Sequence, residues 1–208
     1  ALAVMFGGWI ALAMLRDLAV RVRNAASIGA GLRRLPASYW GMKLAHLGFA
    51  AAIIGVTLTS QYNVELDLKM SPGDSEEIAG YRFEFDSLEP VRGPNYVADR
   101  SNFTVSRDGR TVAVLQAQKR RYLASGQVMT EAAIDAGVFR DLFVAMGEPL
   151  DDEGKAWAIR LHYKPFVRWI WAGAVAMAIG AFMTLADRRY RRVRRRSEVT
   201  AGEGLEAA

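Results

Sequence analysis

Two histidines and no cysteine narrow the chemistry these 208 residues can carry. Without cysteine there is no disulfide framework, no thiol nucleophile and no thiolate metal ligand. No nucleophile triad, phosphate-binding loop or zinc-ligand spacing occurs either. The carboxylates Glu76, Glu77, Asp151, Asp152 and Glu153 fall in turn-like stretches and read as solvated charges. Lys119, Arg120 and Arg121 form a short basic run, read as a strand edge rather than a ligand site. His162 stands among strand residues beside Tyr163 and reads as a packed or interfacial histidine, with no further role assigned. His46 is different. It is the lone ionisable residue between Lys43 and the far end of the apolar run Leu44–Ser60. A polar side chain in such a run is costly without a partner, which makes it a candidate for function.

The spacing around His46 says what kind of helix carries it. Gly41, Ala45, Gly48, Ala52 and Gly55 recur at alternating intervals of four and three, which on a helix makes one stripe where a second helix can approach closely. At ~1.5 Å rise per residue, His46 lies about 9 Å past Trp40. Three readings stay open: a hydrogen bond to a neighbouring helix, proton transfer, or axial ligation of a haem iron. Neutral imidazole, the form a low-dielectric site favours, is a common haem ligand. One histidine cannot make a bis-histidine site, so a second ligand would come from elsewhere.

The elements that must position His46 follow from hydropathy. Ala1–Leu15 is apolar and uncharged, Leu44–Ser60 follows Tyr39 and Trp40, and Trp169–Ala186 opens on Trp169, Ile170 and Trp171. A bilayer core needs about 20 apolar residues in a helix. The second and third runs meet that with their aromatic flanks. In the first, the basic residues follow the apolar run instead of preceding it, opposite to a signal peptide. It reads as the end of a longer transmembrane helix, and the chain is expected to be part of something larger.

Charge then sets an expected orientation. Arg16, Arg21, Arg23, Arg33, Arg34 and Lys43 follow the first span against the single acid Asp17, and seven arginines from Arg188 to Arg196 follow the third. The positive-inside rule places both basic stretches in the cytoplasm. The tail reads as an anchor near anionic lipid, not as a nucleic-acid site. Residues 61–166, with mixed charge, then face outward. There Val64, Leu66 and Leu68, with Tyr62, alternate with polar residues, as do Tyr81, Phe83 and Phe85; Asp108-Gly109 marks a hairpin. Pro72-Gly73-Asp74 and Gly93-Pro94-Asn95 read as turns, and Val128–Ala132, Asp141–Met146 and Trp157–Tyr163 as further strands. The expected fold is an α + β membrane protein: transmembrane helices with an inserted antiparallel β-rich periplasmic domain, a sandwich or small barrel. The expected segments are 1–15 (end of a helix), 16–39 (cytoplasmic basic loop), 40–60 (the helix carrying His46), 61–166 (β domain), 167–187 (helix) and 188–208 (cytoplasmic tail).

Longer motifs add a resemblance. Arg34-Leu35-Pro36-Ala37-Ser38-Tyr39-Trp40-Gly41-Met42 leads into Ala45-His46-Leu47-Gly48, and Met70-Ser71-Pro72-Gly73-Asp74, Gly93-Pro94-Asn95-Tyr96 and Thr130-Glu131-Ala132-Ala133-Ile134-Asp135 follow. Ser60-Gln61-Tyr62, Gly147-Glu148-Pro149-Leu150 and Tyr163-Lys164-Pro165-Phe166-Val167-Arg168-Trp169-Ile170-Trp171 complete the set. Together they resemble the C-terminal part of the CcmF family, haem lyase components of system I cytochrome c maturation, over almost the whole chain.

The resemblance implies an inner-membrane protein that receives haem from the periplasmic chaperone CcmE. With CcmH-type and CcmI-type subunits, such a protein attaches haem to the CXXCH thiols of apocytochrome c. It also implies a b-type haem within the membrane, with His46 at the position of one axial ligand, that reduces incoming haem before thioether formation; quinol is a candidate electron source. The family's tryptophan-rich external segment, its flanking histidines and the other membrane histidine are absent here. The fragment alone is therefore expected to be non-catalytic. The specialised paralogue NrfE remains open as the parent, as do a partner-docking anchor in which His46 only packs between helices and a transporter half with His46 as proton relay.

Overall fold

The computed structural model describes residues 2–23, 27–151 and 154–187. The expected cytoplasmic tail from Arg188, together with Asp152 and Glu153, lies outside the described residues. The chain divides into two compact units, one of residues 1–57 with 169–208 and one of residues 58–168.

The first unit is helical. Its helices are α1 (Leu2–Val22), α2 (Ile28–Arg34), α3 (Ala37–Tyr62, whose last residues belong to the second unit) and α4 (Val167–Ala186, whose first two do). By length and composition α1, α3 and α4 can each cross a membrane. Helix α1 continues past Leu15 to Val22, so Arg16, Asp17 and Arg21 are helical rather than part of a loop. Within the stretch read as loop, the Ser27 hydroxyl accepts the Ala30 N–H at 3.2 Å and caps α2.

Helices α3 and α4 run together on glycine. A Cβ on Gly41 would strike the Gly180 carbonyl, one on Gly48 the Gly173 carbonyl, and one on Gly55 the Ile170 backbone. The contacts are reciprocal: Gly173 faces the Gly48 carbonyl and Ala52, and Gly180 the Gly41 carbonyl and Ala45. The small-residue stripe thus has its partner, and α4 brings two glycines of its own at the same seven-residue interval. Seven residues return to nearly the same helix face, so the glycines of each helix line up along one side.

The second unit is a β-sandwich. One sheet has the order β1-β9-β8-β7, with β1 Val64–Met70, β7 Ala133–Ala136, β8 Arg140–Pro149 and β9 Trp157–Pro165. The other has the order β2-β3-β4-β5-β6, with β2 Ser75–Ile78, β3 Tyr81–Arg92, β4 Tyr96–Arg107, β5 Arg110–Tyr122 and β6 Val128–Glu131. All pairings are antiparallel.

The alternating pattern sends Phe83, Phe85, Phe103, Val105 and Leu115 from the larger sheet, and Leu142, Val144, Met146, Ile159 and Leu161 from the smaller, into one core. Phe85 and Phe103 stack at 4.7 Å between centroids. Asp108 (φ 51°) and Gly109 (φ 73°) both turn left-handed, as a tight hairpin between right-twisted strands requires.

Three sequence expectations change. Tyr62 ends α3 instead of opening a strand, because the helical ladder runs on until Asn63 N–H reaches the Thr59 carbonyl at 3.0 Å. Glu76 and Glu77 lie on β2, paired with Phe83 and Arg82, rather than in a turn. Lys119–Arg121 lie inside the larger sheet, between β4 and β6, and not at its edge.

Candidate functional site

His46 sits on α3 with its side chain exposed. Its Nδ1 lies 2.8 Å from the Met42 carbonyl oxygen, one turn back. A carbonyl can only accept, so Nδ1 carries the proton and donates it. In a neutral imidazole that tautomer leaves Nε2 with a free lone pair. An imidazole oriented by a backbone carbonyl in this way is the usual arrangement of a metal-ligating histidine. The ring borders a groove of about 310 Å³ shared by Ala13, Met14, Asp17 and Arg21 of α1 and Met42 and Lys43 of α3. Among the described residues there is no group of three or more His, Cys, Asp or Glu placed to hold a bare metal ion. One oriented imidazole could serve as a single axial ligand to an iron held by a macrocycle.

One turn before His46, Lys43 is buried. Its Nζ meets Asp17 Oδ2 at 2.7 Å and the Met14 carbonyl at 3.3 Å. The Tyr39 hydroxyl donates to the same Asp17 oxygen at 2.9 Å, and Arg21 Nε donates to Asp17 Oδ1 at 3.0 Å. A single carboxylate so gathers one lysine, one arginine and one phenol, and ties α1 to the helix that carries His46. Ionised groups in apolar surroundings persist when paired in this manner. Sequence reasoning took Asp17 for a stray acid in a basic loop. The available signal was its i,i+4 spacing to Arg21.

The other sequence-flagged residues are structural. His162, on β9, is buried against the edge of Phe143 at 4.8 Å; among the described residues its Nδ1 has no hydrogen-bond partner, with Glu65 Oε2 at 3.5 Å. Lys119 Nζ bonds Glu148 Oε1 at 2.6 Å, and Arg120 stacks over Tyr96 while bonding Glu131 at 3.2 Å. Sequence reasoning missed a cluster at the β2–β3 hairpin. The Tyr81 hydroxyl accepts from Arg107 at 2.9 Å and from Arg140 at 3.4 Å, and Arg140 also pairs with Asp135. Burial pushes the Tyr81 phenol up, but the two guanidiniums outweigh it and hold it below its usual value.

Burial also lowers the His162 pKa, aided by Lys164 and Arg160 and opposed by Glu65 and Asp67. The unfolded chain, with its histidine near ~6.5, takes up the proton first, so folding stability falls as pH drops below about 6.5. Arg160, 2.6 Å from Asp67, holds that carboxyl below its usual range, so its own titration comes at lower pH. Urea midpoints measured between about pH 7.5 and 5.5 should therefore fall in the wild type. In His162→Gln the slope should flatten; an unchanged slope would assign it to another group.

Three apolar helices of membrane-spanning length and an antiparallel sandwich define an integral membrane protein with a β domain inserted between spans. Residues 61–165 match the family described as the CcmF C-terminal beta-sandwich. The cytochrome c-type biogenesis protein CcmF of Pseudomonas aeruginosa is 49% identical over 97% of this chain and 30% of its own length. The Escherichia coli protein of that name is 46% identical over 88% of this chain and 27% of its own. NrfE of Haemophilus influenzae is 34% identical over 74% of this chain and 24% of its own. A solved structure titled cytochrome c heme lyase CcmF shares the fold, with a TM-score of 0.61 and 15% identity, covering 85% of this chain and 34% of that one. This chain belongs to the CcmF family, and it spans about 30% of the length of the first of these relatives.

Proposed function

We propose that this chain is the C-terminal part of a cytochrome c haem lyase and that His46 is an axial ligand of a b-type haem in the membrane. The observation that carries this is the Nδ1–Met42 carbonyl contact of 2.8 Å, which leaves Nε2 bare on an exposed helix face. The hydrogen bond that His46 makes lies inside its own helix, which supports a ligand reading over a bond between α3 and another helix of this chain. Lys43, held by Asp17, stiffens the turn that aims the ring. When bound, the haem supplies one-electron chemistry, and its second axial ligand comes from outside this chain.

The basic residues in the last turns of α1 and just beyond it favour a cytoplasmic side there, with the sandwich in the periplasm of a bacterial inner membrane. In that position the β domain docks the chaperone CcmE, CcmH-type and CcmI-type subunits and apocytochrome c, whose CXXCH thiols accept haem from the full-length protein. The higher identity to CcmF proteins than to NrfE supports CcmF as the parent.

The reduced-minus-oxidised absorption spectrum of the purified full-length protein tests the ligand. The wild type should show a b-type signal, and His46→Ala should lose it and regain it on adding imidazole. An unchanged spectrum in a folded His46→Ala variant would remove His46 from the iron.

A further inference from the structure

Among the described residues, three tight hairpins at the end of the sandwich where β1 begins and β9 ends have a two-residue tip, and one of the three is built unlike the others. The β2–β3 turn uses Ala79-Gly80 and the β4–β5 turn Asp108-Gly109, all four residues at positive φ. These are residues that turn chemistry selects. The β7–β8 turn, closed by Gly137 N–H to the Arg140 carbonyl at 2.8 Å, instead presents Val138 and Phe139, 64% and 60% exposed. Nothing in the turn's geometry asks for two large apolar residues in water.

Their place in the chain says what covers them. The Phe166 N–H donates to the Phe139 carbonyl at 2.9 Å, and the two rings meet edge to face at 6.0 Å. Phe166 is the residue immediately before α4, and α4 is long and apolar enough to cross a membrane. The end of α3 arrives at the same spot, where the Thr59 hydroxyl donates to the Pro165 carbonyl at 2.6 Å. The tip is thus bonded to the residue that precedes a helix of membrane-spanning length. Its base is stiff, because Arg140 is clamped by Asp135 and Tyr81. Arg168 is exposed on the first turn of α4.

We propose that the Val138–Phe139 tip inserts into the boundary between lipid headgroups and acyl chains, as a third membrane contact of the β domain beside its two helical connections. Aromatic and apolar side chains at this depth anchor proteins at the interface.

The absence of cysteine in this chain makes the test direct. A nitrobenzoxadiazole probe is attached at Val138→Cys in the full-length protein, with any other cysteines replaced, in nanodiscs of phosphatidylethanolamine and phosphatidylglycerol. The control is Leu123→Cys, 54% exposed at the opposite end of β5. At position 138 the emission should shift to the blue and lose intensity to lipids bearing a nitroxide on the shallow acyl chain, while aqueous iodide has little effect. At 123 iodide should quench and the lipid nitroxide should not. A probe at 138 that iodide quenches as at 123 would put the tip in water. A probe shielded from both quenchers would mean a protein partner covers it. Either result overturns the proposal.

Discussion

Gly173→Leu should abolish the close pairing of α3 and α4, while Gly8→Leu in α1 should leave the protein unchanged. Both substitutions put the same side chain on an apolar helix, so they differ only in what the new atoms meet. At Gly8 no described residue lies within 4 Å of a new Cβ. At Gly173 the new Cβ would strike the Gly48 carbonyl and approach Ala52 N at 2.8 Å. Backbone atoms cannot rotate away as a side-chain end can, so the helices must separate along their length. The cost should exceed the ~1–3 kcal/mol of ordinary overpacking, because in a bilayer van der Waals contact is much of what holds helices together. Thermal unfolding of the full-length protein in mild detergent would show it as a large fall in midpoint for Gly173→Leu, with Gly173→Ala in between. If Gly173→Leu melts with the wild type, the glycine contacts do not hold the pair.

The glycines also show how far local pattern reaches. The stripe on α3 was visible because it repeats within one helix. Its partner surface, Gly173 and Gly180, was equally visible as two glycines seven apart, yet a repeat of two carries meaning only when set against the other helix. The strands were readable for a physical reason: in β3 and β8 one face is buried, so hydrophobic and polar residues alternate. Where that face loses definition the reading failed. The short β2 exposes both its glutamates, and the register of β3 shifts between Phe85 and Ser87.

His46 was legible because an ionisable residue within an apolar run needs a reason to be there. The orientation of its ring was not, since it rests on the proximity of the Met42 carbonyl. Asp17, Tyr39 and Lys43 come from two helices, and Tyr81, Arg107 and Arg140 from three hairpins. Such convergences belong to tertiary structure and leave no spacing in the chain. The Val138-Phe139 tip is the intermediate case. Its composition is odd for a turn in the sequence itself, but its meaning depends on the bond to Phe166.

Phe103→Ala should destabilise the sandwich by ~3–5 kcal/mol, the range for deleting a fully buried aromatic ring. Phe103 is 0% exposed on β4, the middle strand of the five-stranded sheet. Its ring stacks on Phe85, nearly parallel at 15°, and belongs to the same buried cluster as Leu142, Val144 and Leu161 of the facing sheet. Truncation removes both the stacking and the filler between two sheets whose backbones are held by their own ladders, so the space cannot close by collapse. Small domains are stable by only ~5–15 kcal/mol, so the variant should unfold at markedly lower urea. Val114→Ala, on the outer face of β5 and 62% exposed, should change stability by less than about 0.5 kcal/mol. Of the five tryptophans only Trp157 lies in a strand, at 5% exposure in the same core. Retaining it alone, with the helical tryptophans changed to phenylalanine, makes its fluorescence a reporter of the sandwich. A midpoint for Phe103→Ala no lower than that of Val114→Ala would mean that the two sheets do not close on this ring.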